Sequence, residues 1–366
     1  MTWMIYGANG FTGALLARRA ADAGERPILA GRDARAVGAL AQRLGLAHRI
    51  VDLADPVGLR AALTDVEAVA HCAGPFSATA LPMVHACLDT RTHYVDVTGE
   101  IDVFEALYAL HNPAAAAGVA IVPGVGFDVV PTEYLATRLA YDLPSATHLD
   151  IALIGRGGFS AGTLRTGLEG IRRGGQVRSD GLIAAVPLAH RRRHIRTSAG
   201  VRTVHSLPLG DVSAVYRATG IPNITDFAIV PYGTLVRFAD PLLRGVLAVP
   251  GLSTLLGHAI DALISGPSDL ERADSRGELW AEARDEAGHT ARMRLSVAGT
   301  YDFTTASTLH AVRNLLGTNS IPGGAWTPGQ AFGGDFLLDI PGSGVLVSSA
   351  TVPALAGPAH HSKGFR

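Results

Sequence analysis

The sequence predicts an α/β chain: a doubly wound parallel sheet first, then an α+β region whose sheet is largely antiparallel. Three observations predict this. Apolar strand-like runs alternate with helical patterns through the first third, a glycine-rich turn joins the first strand to the first helix, and after Pro131 the strand-like runs sit next to one another.

The first strand is Trp3–Tyr6, and residues 27–30, 49–51, 68–72, 94–97 and 119–122 read as the strands that follow. Helical patterns fill 13–23, 34–44, 56–63, 80–89 and 101–110. Asp33 stands ahead of the second pattern, and Asp55-Pro56 opens the third. Strand and helix alternating at this spacing describe the dinucleotide-binding (Rossmann) fold. Beyond Pro131, runs at 148–154, 201–207, 225–229, 279–283 and 290–298 surround one long helical pattern near 162–173. Residues 304–316 and 327–338 look helical again and are expected against the first domain. The division expected is 1–132 for the dinucleotide-binding domain, 133–303 for an α+β substrate domain and 304–366 for a C-terminal segment packing back. There is no internal repeat, and the run Ala114–Ala117 is the one low-complexity tract.

Composition narrows the class. The 366 residues suffice for two domains, and 48% hydrophobic with 17% charged residues describes a globular protein. A net charge of -1 gives no overall pull toward nucleic acid or an anionic membrane. The cluster Arg191-Arg192-Arg193-His194 reads as a solvated strand edge. Cys72 and Cys87 make neither a disulfide framework nor a metal-ligand spacing, so no metal is expected and a reducing compartment fits. The first strand begins at Trp3, leaving no room for a signal peptide, and the chain is read as cytoplasmic. Residues 242–264 are apolar over nearly a membrane span, but Arg244, Pro250, His258 and Asp261 interrupt them. They read as two short helices around Pro250-Gly251, placed in the core or lining an apolar pocket in preference to touching a membrane surface.

The chemistry begins at Gly7-Ala8-Asn9-Gly10-Phe11-Thr12-Gly13, which leaves the first strand and opens the first helix. Gly7 permits the tight turn, Gly10 lets the backbone approach a pyrophosphate, and Gly13 lets the helix lie close to the sheet. An NAD site carries a carboxylate at the end of the second strand. Here that strand ends Ala30-Gly31-Arg32, and the guanidinium suits a 2′-phosphate, which points to NADP(H). Asp33 suits an N-cap better than a ribose ligand, and Arg35 adds a second charge. Asp52 either touches the adenine edge or caps the following loop. Ala73-Gly74-Pro75-Phe76 passes beneath the cofactor, with small residues for close approach and a stiff apolar wall. Two clusters, 94–100 and 123–132, lie at the carboxyl ends of the fifth and sixth strands, with Gly99 and Gly124 against the cofactor. Tyr94 and Asp128 are the candidate catalytic residues; Asp96 and Glu100 are further proton donors or substrate-orienting groups, and Asp128 and Glu100 read equally as cap or domain-interface residues. No Tyr-x-x-x-Lys pair, nucleophile elbow or metal constellation is present.

These motifs together resemble the saccharopine dehydrogenase-like oxidoreductases, in the branch that contains bacterial trans-acting enoyl reductases. The resemblance continues through 160–163, 174–181, 210–212, 220–223, 280–283, 301–305 and Gly323-Gly324-Ala325-Trp326-Thr327-Pro328-Gly329. It implies a nicotinamide cofactor and a substrate reduced at a C=C or a C=N bond, and gives no transferable proton donor. The leading expectation is an NADPH-dependent reductase of a conjugated C=C bond on an apolar or carrier-bound, enoyl thioester-like substrate. A saccharopine-type imine reductase or amino-acid dehydrogenase, with Arg165, Arg172 and Arg178 as carboxylate holders, is the alternative, and a non-catalytic NADP(H)-binding protein the third. A small-molecule or carrier-bound substrate is the expected partner; a homodimer is admitted, and nucleic acid is not expected.

Overall fold

The computed structural model describes residues 2–155, 160–230, 232–247, 249, 251–264, 266–318, 321–344 and 346–352. Strands β1 (Trp3–Tyr6), β2 (Ile28–Gly31), β3 (His48–Ile50), β4 (Ala68–His71), β5 (His93–Asp96) and β6 (Ala120–Val122) alternate with helices α1 (Phe11–Asp22), α2 (Ala34–Leu44), α3 (Pro56–Leu63), α4 (Phe76–Thr90), α5 (Ile101–Ala109) and α6 (His111–Ala117). The strands form a parallel sheet ordered β3-β2-β1-β4-β5-β6, the doubly wound arrangement that the alternation predicts. Side chains alternate across it: Ile5, Ala70 and Val95 enter one core, Met4, Val69 and Tyr94 the other. Asp33 starts α2 by accepting from the Ala36 N–H at 2.9 Å, and left-handed Gly45 ends it. Helix α1 has no side-chain cap, so its first N–H groups are left for an outside partner. The alanine run, which signals no strand or motif, closes α6, because alanine has the highest helix propensity.

The chain then runs α7 (Val130–Asp142), β7 (His148–Gly155), α8 (Ala161–Arg173), β8 (Gly175–Ser179), β9 (Leu182–Val186), β10 (Arg192–Thr197), β11 (Gly200–Ser206), α9 (Asp211–Thr219), β12 (Asn223–Ala228), α10 (Gly233–Leu247), α11 (Leu252–Leu263), α12 (Asp269–Ala273), β13 (Arg276–Arg284) and β14 (Thr290–Ala298). It ends in α13 (Thr300–Leu316), β15 (Gly324–Ala325), α14 (Pro328–Phe332), a 3-10 turn (Phe336–Asp339) and β16 (Leu346–Val352). The second sheet is ordered β10-β11-β12-β7-β13-β14-β16, with the β8–β9 hairpin attached to β12. Only β7 and β12 pair in parallel among the described strands of this sheet, so it is mixed and largely antiparallel. The basic run lies on edge strand β10, where Arg191 and Arg193 turn onto Asp150 and Glu282.

Two features depart from the expected division. Helix α7 crosses residue 132 without a break and packs on α9, β13 and β14. The C-terminal segment serves both sheets: α13 packs on α1, β4 and β5, and β15 extends the parallel sheet beside β6, whereas β16 pairs with β14. Buried Glu133 of α7 holds this tail, accepting from the Thr327 hydroxyl and from the Gly329 N–H at 3.0 Å. Its burial pushes the carboxyl up to about 7.

The apolar stretch 242–264 does form the two short helices, as the end of α10 and as α11; Pro250 itself lies outside the described residues. Its expected place in the core holds only in part: Leu247 is buried, but Leu242, Val246, Val249, Leu255 and Leu263 are exposed. Periodicity identifies an apolar face, but not whether anything covers it. Among the described residues, no helix is long and apolar enough to cross a membrane.

Glu133→Ala leaves the Thr327 hydroxyl and Gly329 N–H without their acceptor. Urea unfolding followed at Trp326 should show a loss of about 2 kcal/mol; unchanged stability would mean that the tail is held elsewhere.

Candidate functional site

Strands β1, β4 and β5 end in register, Tyr6 beside His71 and His71 beside Asp96, so the following loops open on one edge of the sheet. Gly7 there has φ +77°, and a Cβ on it would lie 2.7 Å from the Ala73 nitrogen. A Cβ on Gly13 would lie 2.3 Å from the Gly7 carbonyl oxygen. Turn and helix therefore meet backbone to backbone, and the uncapped start of α1 opens beside exposed Asn9 and Gly10 and half-buried Thr12. N–H groups at a positive helix end, with no side chain in front, fit a pyrophosphate. Phe11 leans on the Tyr301 ring edge-on at 4.8 Å and fills the space that a Cβ on Gly266 would need.

Arg32 follows β2 exposed to solvent, with no hydrogen-bond or ion-pair partner among the described residues. Asp33 is occupied by its cap, and Arg35 is exposed. Asp52 is exposed and accepts from the Ala54 N–H at 2.9 Å, so of its two readings the structure shows the loop cap. On the other side, Ala73 lies against Gly7, Gly74-Pro75 is a cis peptide, and Phe76 is buried at the start of α4. Glu100 is not a proton donor here. Its carboxylate accepts from the Phe76 and Ser77 N–H groups at 2.8 and 3.0 Å, capping α4.

Tyr94, expected to be catalytic, is corrected by its position. It is 0% exposed in the core beneath the loops, and its hydroxyl donates to Asp96 at 2.8 Å. Strand β5 is buried on both faces, and Tyr94 lies within it, two residues short of the end that opens on the ligand edge. Asp96 itself accepts from the Thr98 and Gly124 N–H groups at 3.0 and 2.8 Å. Burial outweighs these bonds and lifts it to about 6. Gly124 has φ +71°, and a Cβ on it would strike the Phe104 ring at 2.6 Å.

Asp128 remains at the edge. It is half-buried, and its Oδ2 would be 2.7 Å from a Cβ on Gly99, so that glycine makes the room for the carboxyl. The carboxyl has no hydrogen-bond partner among the described residues, and desolvation lifts it to about 6. Behind it Thr132 donates to Asp211 at 2.6 Å, and Asp226 is buried with the Val212 N–H close to its carboxyl. Burial holds both acids well above the usual carboxylate range, and Asp226 raises Asp211 further. Sequence reasoning missed this pair as a feature of the site; Gly210-Asp211-Val212 stood out as a motif, but no residue type announces burial. Across from the glycine turn, the Ser160 N–H donates to the Tyr301 hydroxyl at 2.6 Å, which also meets Thr163 at 3.0 Å. Among the described residues no cluster suited to a metal is present.

Residues 3–122 match the saccharopine dehydrogenase NADP binding domain. A protein of Mycobacterium tuberculosis named as a trans-acting enoyl reductase is 34% identical over 180 residues, which are 45% of this chain and 43% of that protein. The trans-acting enoyl reductase of Mycobacterium ulcerans is 33% identical over 151 residues, 38% of this chain and 36% of its own. Each match thus spans less than half the length of these relatives. The likeness of fold is far longer. The saccharopine dehydrogenase (L-Glu forming) of Saccharomyces cerevisiae superposes with a TM-score of 0.66 at 14% identity, covering 95% of this chain and 100% of that one. The homospermidine synthase of Legionella pneumophila, solved with NAD, gives 0.64 at 11% identity, covering 95% and 91%. At such identities the likeness shows the fold alone.

A carboxyl raised by folding binds its proton more tightly in the native chain, so its stabilising contribution is full at acid pH and is lost as pH rises through the native pKa. Asp226→Asn stays neutral throughout. Its melting temperature should therefore gain on the parent's between about pH 5 and about pH 9; a constant difference would show that Asp226 is not protonated in the fold.

Proposed function

We propose that this chain is an NADPH-dependent reductase of a conjugated C=C bond on an apolar or carrier-bound, enoyl thioester-like substrate. The observation that carries the reading is Asp128, a carboxyl with no partner among the described residues, held over Gly99 on the ligand edge of an NADP-binding domain and raised to about 6. When bound, NADPH supplies a hydride for the electrophilic β-carbon. The residues of the chain do the rest. Gly7, Gly10 and Gly13 clear the backbone cradle for the pyrophosphate, and Arg32 pairs with a 2′-phosphate. Ala73, Gly74 and Pro75, with buried Phe76, form the wall beneath the nicotinamide. Asp128, protonated, gives its proton to the carbon next to the thioester carbonyl. Relatives named trans-acting enoyl reductase support the choice of a C=C bond.

The imine alternative needs arginines to hold substrate carboxylates. Arg178 does not serve it: it is buried, bonded to Glu105, to the Gly181 carbonyl and to the Val212 carbonyl. Arg173, on the same helix as Arg165 and Arg172, pairs with Asp102. NADPH consumption with enoyl thioesters against preformed imines separates the two; turnover of imines alone overturns the proposal.

Two variants refine it. Arg32→Ala should weaken NADPH binding by roughly tenfold, the loss of about one charge-assisted contact, and leave NADH binding nearly unchanged. Asp128→Asn should lower kcat by about 100-fold or more. In the parent, kcat should fall as pH rises above about 6, where the acid loses its proton, and the variant should lack that limb.

A further inference from the structure

We propose that Phe11 and Tyr301 form a latch: through them a pyrophosphate bound at the glycine turn holds the start of α8 in place, which makes Tyr301 a positioning residue. Helices α8, α10 and α11 pack on one another, and among the described residues none makes a broad contact with either sheet. A layer packed mainly on itself opens and closes as a unit, and its order depends on its ties to the rest of the chain.

Two of those ties meet at the latch. The Tyr301 hydroxyl accepts from the Ser160 N–H at 2.6 Å and lies 3.0 Å from the Thr163 hydroxyl, both in the first turn of α8. Ser160 is 4% and Tyr301 8% exposed, so water does not readily replace this bond. Past α11, Gly266 has φ +83°, and a Cβ on it would lie 2.5 Å from the Phe11 ring. Phe11 therefore touches the exit of α11 on one side and Tyr301 on the other, edge-on at 4.8 Å. At its far end α8 is tied by Arg173 to Asp102 at 3.1 Å, but both side chains are partly exposed, and such a pair contributes little.

The latch is anchored on the cofactor side. Arg19 of α1 donates to the Thr305 hydroxyl at 3.0 Å and to the Asp302 carbonyl at 3.3 Å, which joins the first turn of α13 to α1. Phe11 is the first residue of α1, where no side chain caps the N–H groups. A pyrophosphate that takes those N–H groups orders the turn, and with it the ring against which Tyr301 and Gly266 rest. Ser160 and Thr163 then hold α8 to a stiffened support. The coupling is a free energy shared by two sites and is reciprocal. It needs only the dinucleotide, so it stands whichever double bond is reduced.

The test is amide hydrogen exchange of the full chain, read in α8 and α11. Saturating NADPH should slow exchange there by about tenfold. 2′-Phospho-ADP-ribose, which has the pyrophosphate but no nicotinamide, should do the same, and 2′-AMP, which has neither, should not. Tyr301→Phe keeps the ring and removes the hydroxyl. NADPH should then no longer slow exchange in α8, and its binding should weaken by no more than the factor lost. Phe11→Ala leaves the Ser160–Tyr301 bond in place and should uncouple α8 and α11 alike. Exchange in β4 and β5 should be unchanged in both variants, which separates uncoupling from a failure to fold. Slowing that requires the nicotinamide, equal slowing by 2′-AMP, slowing that survives both variants, or none in the parent would overturn the proposal. A failure of enoyl thioester reduction would leave these exchange rates as they are.

Discussion

Much of the ligand edge hangs on one buried carboxylate. Asp96 takes the Tyr94 hydroxyl from below, the Thr98 N–H from its own loop and the Gly124 N–H from the next strand's loop, while its carbonyl receives the Val125 N–H. Loops after β5 and β6 are thereby fixed to each other before any ligand arrives. Gly99 and Asp128, which face one another across that junction, inherit their spacing from it. A charge in such a place is expensive, and the raised pKa records the expense; three donors keep it tolerable.

The same economy of side chains governs the interface with the second region. Thr304 of α13 accepts from the Phe127 N–H at 3.1 Å, and the Phe127 ring fills the space that a Cβ on Gly277 of β13 would need. One residue from the loop after β6 thus meets the helix returning from the tail and the middle of the second sheet. Asp128 follows directly, so its position is set by packing on both sides rather than by a hydrogen bond of its own.

Much of this was legible in the sequence, and the parts that were not share a cause. Strand positions and the glycine turn could be read because hydrophobic period and glycine spacing are local properties of the chain. The cap roles of Asp33 and Asp55 were legible for the same reason. Tyr94 and the stretch 242–264 went astray, and Glu100 was left between two readings, because their roles depend on what lies across space. Tyr94 sits within a strand buried on both faces, and the apolar stripe of α10 is left uncovered; for Glu100 two N–H groups of α4 decide between the proton-donor and cap readings. Asp211 and Asp226 are nonlocal in the strictest sense: their significance is burial beside each other, from helix and strand segments that no motif connects. Helix α7 was hidden because its start lies within a glycine- and proline-bearing loop motif that reads as irregular.

The tail's division between the sheets has a consequence for how the chain is made. Sheets completed by neighbouring segments can assemble in order as a polypeptide leaves the ribosome. Here the parallel sheet waits for α13 and β15 to cover β4 and β5 and to flank β6, and the antiparallel sheet waits for β16 to cover β14. Both domains remain with an unprotected edge through most of synthesis, and both are finished by one late stretch. The early nascent chain therefore exposes strand edges that pair readily with the wrong partner, and β6 and β14 are flanked only after both sheets have been made.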